Sequence, residues 1–154
     1  MKHLLITAIL LASLAACGDK KDAKLDEAGK IHNEAHEIGE GIEPQIEGID
    51  SLKTLLADKK KTLTDAAMIA RLDSTTAALS SVAQAFADWE DNIVSVPGLV
   101  HKHAEGEAHE EHNHKATPDV TSEQMLEIQQ EMKKNIEKIK ADLTRAEEMM
   151  KALM

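Results

Sequence analysis

The sequence predicts an all-α protein in which three long helices form an up-down-up antiparallel bundle over residues 25–154. Apolar residues recur every three or four positions in three separate stretches, which is the period of a helix with one buried face. These stretches, residues 25–60, 64–93 and 122–152, are comparable in length, so they can pack side by side. The short connection at residues 61–63 joins the first two stretches as a hairpin.

A self-associating coiled coil is the competing architecture. Each apolar stripe spans about four heptads, which is enough for two copies of the chain to pair. A monomeric bundle and a coiled-coil dimer therefore both remain open at this point.

The first stretch carries the longest stripe and a predicted break. Pro44 lacks the N–H that would bond the carbonyl of Glu40, and its ring clashes with that turn. We therefore expect a kink or a break between residues 39 and 44, where Gly39 and Gly41 also lie. The apolar positions of the stretch are Leu25, Ala28, Ile31, Ala35, Ile38, Ile42, Ile46, Ile49, Leu52 and Leu56.

The second stretch is predicted to begin at Thr64 and Asp65, with Thr62 as the alternative cap. Pro97 ends the run. Its stripe comprises Leu72, Thr75, Leu79, Val82, Phe86, Trp89 and Ile93. Because Trp89 lies on this stripe, it is predicted to be buried in the core rather than to serve as a ligand platform.

The third stretch opens at Thr121, whose spacing to Gln124 is that of a capping box. Its stripe comprises Met125, Ile128, Met132, Ile136, Ile139, Leu143, Ala146, Met150 and Leu153. The methionines are interpreted as core packing in a chain with few aromatic residues, not as metal ligands.

The N-terminal residues predict export and lipid anchoring. Residues 1–16 contain Lys2 and an apolar run of 11 residues from Leu4 to Leu14, whereas a membrane-spanning helix needs roughly 20, so they are typical of a cleaved signal peptide. The sequence Leu14-Ala15-Ala16-Cys17 resembles the lipobox of bacterial lipoproteins. The resemblance implies cleavage before Cys17, acyl chains on Cys17, and a domain outside the cytoplasm anchored to the inner or outer membrane. Residues 17–24 would then form a lipidated tether.

The composition excludes several classes of function. A net charge of −10 repels nucleic acid and anionic lipid head groups, and one Trp, one Phe and no Tyr leave few surfaces for stacking sugars or bases. Cys17 is the only cysteine, so lipidation would leave no disulfide, thiol nucleophile or cysteine-based zinc site. Since no enzyme signature occurs in the chain, we predict that the protein is not an enzyme.

The connection at residues 94–120 is the strongest candidate for a binding site. Loops beyond roughly 12–15 residues are uncommon in compact domains unless they are functional or disordered. Imidazole is a common ligand for Zn²⁺, Cu²⁺ and Ni²⁺, and glutamates lie between the histidines of this connection. The segment resembles the His- and acid-rich loops of envelope metal-handling proteins such as zinc-uptake binding proteins. The predicted ligands are His101, His103, His109, His112 and His114. The alternative is a solvated connector whose histidines bind metals without a biological role.

A secondary metal candidate lies on the first helix. His32 and His36 are one turn apart and are predicted to lie on an outward flank, where such a pair can chelate an ion. The segment departs from the zincin pattern, because Asn33 stands at the second position and Glu34 comes one residue late. Proteolysis is therefore not predicted.

The whole chain also resembles small, acidic, helical cell-envelope lipoproteins of the Bacteroidota type. The resemblance rests on Ile31-His32-Asn33-Glu34 and on Pro44. It implies a helical fold and an envelope location, without an activity. Two functions are thus predicted: a membrane-anchored lipoprotein that binds or buffers Zn²⁺, Cu²⁺ or Ni²⁺, or a structural lipoprotein that binds another envelope protein.

Overall fold

A computed structural model describes residues 22–99 and 119–153. Within these ranges the chain forms four helices and no strand: α1 (Ala23–Glu47), α2 (Ile49–Lys61), α3 (Ala66–Asp91) and α4 (Ser122–Lys151). Only Gly48 separates α1 from α2, so the two form one interrupted helical segment. The predicted all-α class and the count of three long helical segments are confirmed. The predicted signal peptide (residues 1–16), Cys17 and the five histidines of residues 101–114 lie outside the described residues.

The predicted break between residues 39 and 44 is wrong. Helix α1 continues through Pro44 to Glu47, and the interruption falls at Gly48. Pro44 and Glu40 are both exposed, so water can hydrate the carbonyl that Pro44 deprives of its donor. The backbone of Gly48 stays in the right-handed helical region, with φ −69° and ψ −15°, and its N–H donates to the carbonyl of Pro44 over 3.3 Å. The interruption is therefore slight.

Helix α3 begins slightly later than predicted. Asp65 is its N-cap, and the Asp65 carboxylate accepts from the backbone N–H groups of Ala67 at 2.8 Å and Met68 at 3.0 Å. Thr64 precedes this cap, and Thr62 instead closes α2. An aspartate is as good an N-cap as a threonine and here holds two of the first amides, which explains the shift.

The starts of α4 and α1 are fixed by side-chain caps. Thr121 and Gln124 form the predicted capping box at the beginning of α4. Asp22 caps α1, so that helix begins at Ala23 rather than at Leu25. The Asp22 carboxylate also accepts from the hydroxyl of Ser122, which ties together the first turns of α1 and α4.

The core is built from the predicted stripes. Every predicted stripe residue of α3 is buried, and those of α4 are buried or partly buried. Trp89 is 7% exposed, and its indole N–H donates to the carbonyl of Met132 over 3.1 Å. The ring lies over Gly39 of α1, where a Cβ atom would come within 2.9 Å of the indole. A single aromatic ring thus joins α1, α3 and α4.

Polar contacts between the α1–α2 segment and α4 pair residues whose numbers rise together along both. Glu34 forms an ion pair with Lys133 at 2.6 Å, and farther along Lys59 donates to the carbonyl of Leu153. No helix in the described ranges combines the length and the apolar content needed to cross a membrane.

Candidate functional site

A second, smaller cluster of buried residues lies where the N-terminal half of α1 meets the start of α4 and the residues that follow α3. We call this region the α1 corner. Its buried members are Ala28, Val96 and Met125, with Leu25, Val94, Leu99, Val120 and Leu126 packed against them. Leu99 lies so close to α1 that a Cβ atom on Gly29 would come within 3.3 Å of it. The described residues that follow α3 therefore pack against α1.

The two ends of the His-rich connection meet at the α1 corner. Leu99 is the last described residue before the connection and Val120 is the second after it, and both pack in the same cluster. A pocket of about 180 Å³ lies beside Leu99, with Asp26, Lys30 and Asn33 among its polar lining residues. The described residues on either side of the five predicted ligands thus come together at this corner.

The predicted outward orientation of His32 and His36 is wrong. His32 is 1% exposed, and His36 is half-buried. The reason is the phase of the helix: His32 continues the three-four spacing of Ala28, Ala35 and Gly39, all of which are buried. These small neighbours leave room for the imidazole ring inside the bundle.

A chain of two hydrogen bonds fixes the ring of His32. The Nδ1 atom of His32 lies 2.9 Å from Oε1 of Gln129, and Nε2 of Gln129 donates to the carbonyl of Val94 over 2.8 Å. A carbonyl can only accept, so the amide nitrogen of Gln129 faces Val94 and its oxygen faces His32. Nδ1 of His32 must then be the donor. In the neutral ring the lone pair is therefore on Nε2.

Gln129 is a site residue that the sequence analysis missed. It is fully buried on α4, one turn after Met125 and three residues before Met132. That spacing places it on the apolar stripe, where a glutamine needs a polar partner. A glutamine at a stripe position was the available signal, and His32 is the partner that it indicates.

His36 lies beside His32 and against the core tryptophan. The ring centroids of the two histidines are 4.6 Å apart, with an interplanar angle of 47°. The centroid of His36 is 6.1 Å from that of Trp89, in an edge-to-face arrangement. The Nε2 atoms of both histidines are shielded from solvent. The ring of His36 therefore lies between the buried ring of His32 and the core tryptophan.

Glu34, which lies between His32 and His36 in the sequence of α1, is held in an ion pair with α4. Glu34 forms its ion pair with Lys133 on the exposed side of α1, and its hydrogen bond raises the pKa of Lys133 above the ordinary value. Across residues 22–99 and 119–153, no group of three or more His, Cys, Asp or Glu side chains is arranged to hold a metal ion. Within those residues, His32 and His36 are thus not part of a three-residue metal-ligand group.

Comparison with protein-family models, curated proteins and solved structures finds no match to this chain.

Proposed function

We propose that the protein is a lipoprotein of the cell envelope, anchored by lipid on Cys17, that binds or buffers Zn²⁺, Cu²⁺ or Ni²⁺. The proposed ligands are His101, His103, His109, His112 and His114. The anchor is supported by the resemblance of Leu14-Ala15-Ala16-Cys17 to a lipobox. The domain lies outside the cytoplasm, on the inner or the outer membrane.

The observation that carries the metal proposal is the packing of the two residues that flank the His-rich connection at the α1 corner. Leu99 and Val120, which flank the five predicted ligands in sequence, pack into one cluster. Holding the two ends of a segment together raises the effective concentration of each ligand in it around an ion that another ligand has bound. We therefore expect the folded protein to bind the ion more tightly than the same residues in an open peptide.

We also propose that the three helical segments form an up-down-up antiparallel bundle, with the His-rich connection between the second and the third. The order of contacts supports this arrangement, since α4 follows the direction of the α1–α2 segment while Trp89, near the end of α3, lies against Gly39 of α1. The stripes are occupied within one chain, which favours a monomer over a coiled-coil dimer. Light scattering at increasing protein concentration should give one monomer mass.

Calorimetric titration with a competing chelator tests the metal proposal on untagged, full-length protein in detergent. We expect binding of Zn²⁺ or Cu²⁺ that weakens when all five histidines are replaced by alanine. The affinity should fall as the pH drops from about 7.5 to about 5.5, because protons compete for imidazoles whose unperturbed pKa is about 6.5. Affinity no higher than that of a scrambled peptide of residues 101–114 would contradict the proposal.

A specific observation favours the second candidate, a lipoprotein that binds another envelope protein. Glu37, Glu40, Glu43 and Glu47 follow one another along α1, and none forms an ion pair within the described part of the chain. Such a face attracts a basic partner. Deletion of residues 101–114 should then leave captured partners unchanged.

A further inference from the structure

We propose that the α1 corner is the membrane-facing end of the bundle, and that the surface it faces is the lipid bilayer. The inference rests on the lipid anchor on Cys17 proposed above, and it adds the orientation of the domain to that anchor. It does not depend on metal binding.

Helix α1 begins only a few residues after the proposed anchor. Asp22 is the N-cap of α1, and five peptide bonds separate it from Cys17. A fully extended chain spans at most about 3.6 Å per residue, so Asp22 lies no more than about 18 Å from Cys17 whatever path the chain takes. Since acyl chains on Cys17 hold that residue at the bilayer surface, α1 starts beside the membrane.

Helix α4 starts at the same level as α1. The Asp22 carboxylate accepts from the hydroxyl of Ser122, and Lys24 of α1 forms an ion pair with Glu123 of α4. These contacts join the first turns of two helices that run in the same direction. The short distance between Cys17 and Asp22 therefore keeps the start of α4 near the bilayer as well.

The residues that flank the His-rich connection lie at this end of the bundle too. Leu25, in the first turn of α1, packs in the same cluster as Leu99 and Val120. The connection is thus attached to the bundle on both sides at the end that faces the bilayer. If residues 101–114 bind a metal ion as proposed, the segment that holds the ion is joined to the domain beside the lipid surface.

The turn between α2 and α3 lies at the opposite end. The α1–α2 segment runs from Ala23 to Lys61 with one slight interruption. At a rise of about 1.5 Å per residue, its length is roughly 55–60 Å. Thr64, in the turn that follows, is therefore much farther from the anchor than the start of α4.

The surface of the bundle favours this end-on position over insertion or lying flat. The first turns of α1 and α4 carry exposed charges at Asp22, Lys24 and Glu123, which stay in water rather than enter the bilayer. Among the described residues, Leu55 and Met149 are the exposed large hydrophobic side chains, and two such residues make no broad apolar face for lipid. The acyl chains therefore make the contact with the bilayer.

Fluorescence quenching by nitroxides on lipid head groups tests the orientation. The full-length lipidated protein is reconstituted in phosphatidylcholine vesicles that carry the nitroxide, and a fluorophore is attached to Glu127→Cys, in the second turn of α4, or to Thr64→Cys. Both positions are exposed, and lipidation blocks Cys17, the only cysteine of the chain, so each variant has one reactive thiol. The label on Glu127→Cys should lose most of its emission, whereas the label on Thr64→Cys should keep most of it.

A longer tether provides the matched control. Insertion of roughly 20 Gly and Ser residues between Asp19 and Lys20 adds a flexible linker with a mean span of roughly 25 Å. The label on Glu127→Cys should then regain much of its emission, because the bundle is no longer held close to the bilayer. Far-UV circular dichroism checks that each variant is folded.

The outcomes separate this inference from the proposed function. If the protein does not float with the vesicles, the anchor and this inference are both overturned. If it floats but Thr64→Cys is quenched as strongly as Glu127→Cys, or if the longer tether changes nothing, the anchor stands and the end-on orientation is overturned. The vesicles contain no metal ion, so a failure of metal binding by residues 101–114 leaves this result unchanged.

Discussion

The contact between Gly39 and Trp89 gives the sharpest test of the packing in this bundle. We expect Gly39→Ala to destabilise the protein even though alanine is the better helix former. Gly41→Ala is the matched control, since it lies in the same helix two residues later and a Cβ atom there would meet nothing within 4 Å. The comparison isolates the steric cost of one methyl group.

The magnitude follows from two opposing effects. Replacing glycine by alanine inside a helix favours folding by about 1 kcal/mol, at Gly39 and at Gly41 alike. At Gly39 the new Cβ atom would lie 2.9 Å from Cζ3 and Cη2 of Trp89, whereas carbon atoms pack at roughly 3.5–4.0 Å. The indole cannot retreat without stretching its bond to Met132, and overpacking of this kind costs about 1–3 kcal/mol. Gly39→Ala should therefore be less stable than Gly41→Ala by about 1–3 kcal/mol.

Urea denaturation followed by far-UV circular dichroism gives the two free energies of unfolding. The emission of the single tryptophan provides a local reading, because a displaced Trp89 should shift its maximum in Gly39→Ala and not in Gly41→Ala. If both variants gain the same stability and keep the same emission, Trp89 does not pack on Gly39. The packing of His36 against the indole ring would then also lose its support.

Three further predictions concern the core, the anchor and the response to acid. Leu79 is 0% exposed, so Leu79→Ala should lower the free energy of unfolding by about 2–5 kcal/mol in the same urea experiment. Cys17→Ala should move the protein from the membrane fraction to the soluble fraction and abolish uptake of labelled fatty acid; retention in the membrane would refute the anchor. The hydrogen bond from Lys138, at 2.8 Å, lowers the pKa of Asp142, with a smaller contribution from Arg145. A lowered folded-state pKa stabilises the protein above the unfolded value of about 3.9, so the stability gap between the parent and Asp142→Asn should close as the pH falls through the folded pKa.

The parts of the fold that depend on local periodicity could be predicted from the sequence. The stripes of α3 and α4 are regular, and each begins at a side-chain cap, so the buried face follows from the spacing alone. Trp89 was placed correctly for that reason. The break at Gly48 could not be derived in this way, because Pro44 acts on a carbonyl that faces water and the helix tolerates the loss.

The buried pair of His32 and Gln129 was harder to predict. Its two side chains come from α1 and α4, and both helices must turn them toward each other. With Ala28 and Ala35 as core positions, the spacing predicts that His32 lies on an outward flank, but the buried face of α1 is broader than that. Helix α1 buries Ala28, His32, Ala35 and Gly39, a row of mostly small side chains.

Small residues bring two helices close together, and a polar side chain among them must then meet a polar partner from the facing helix. Gln129 is that partner, and it lies on the α4 stripe at the corresponding level. When a histidine and a glutamine each interrupt an apolar stripe of the same chain, the two are therefore predicted to be hydrogen-bond partners. Neither side chain can be buried alone without the free-energy cost of an unsatisfied polar group. If this pairing sets the phase between α1 and α4, Gln129→Leu with His32→Leu should fold more stably than either single variant. That comparison is a double-mutant cycle, measurable by urea denaturation, and additive costs would show that the two side chains do not depend on each other.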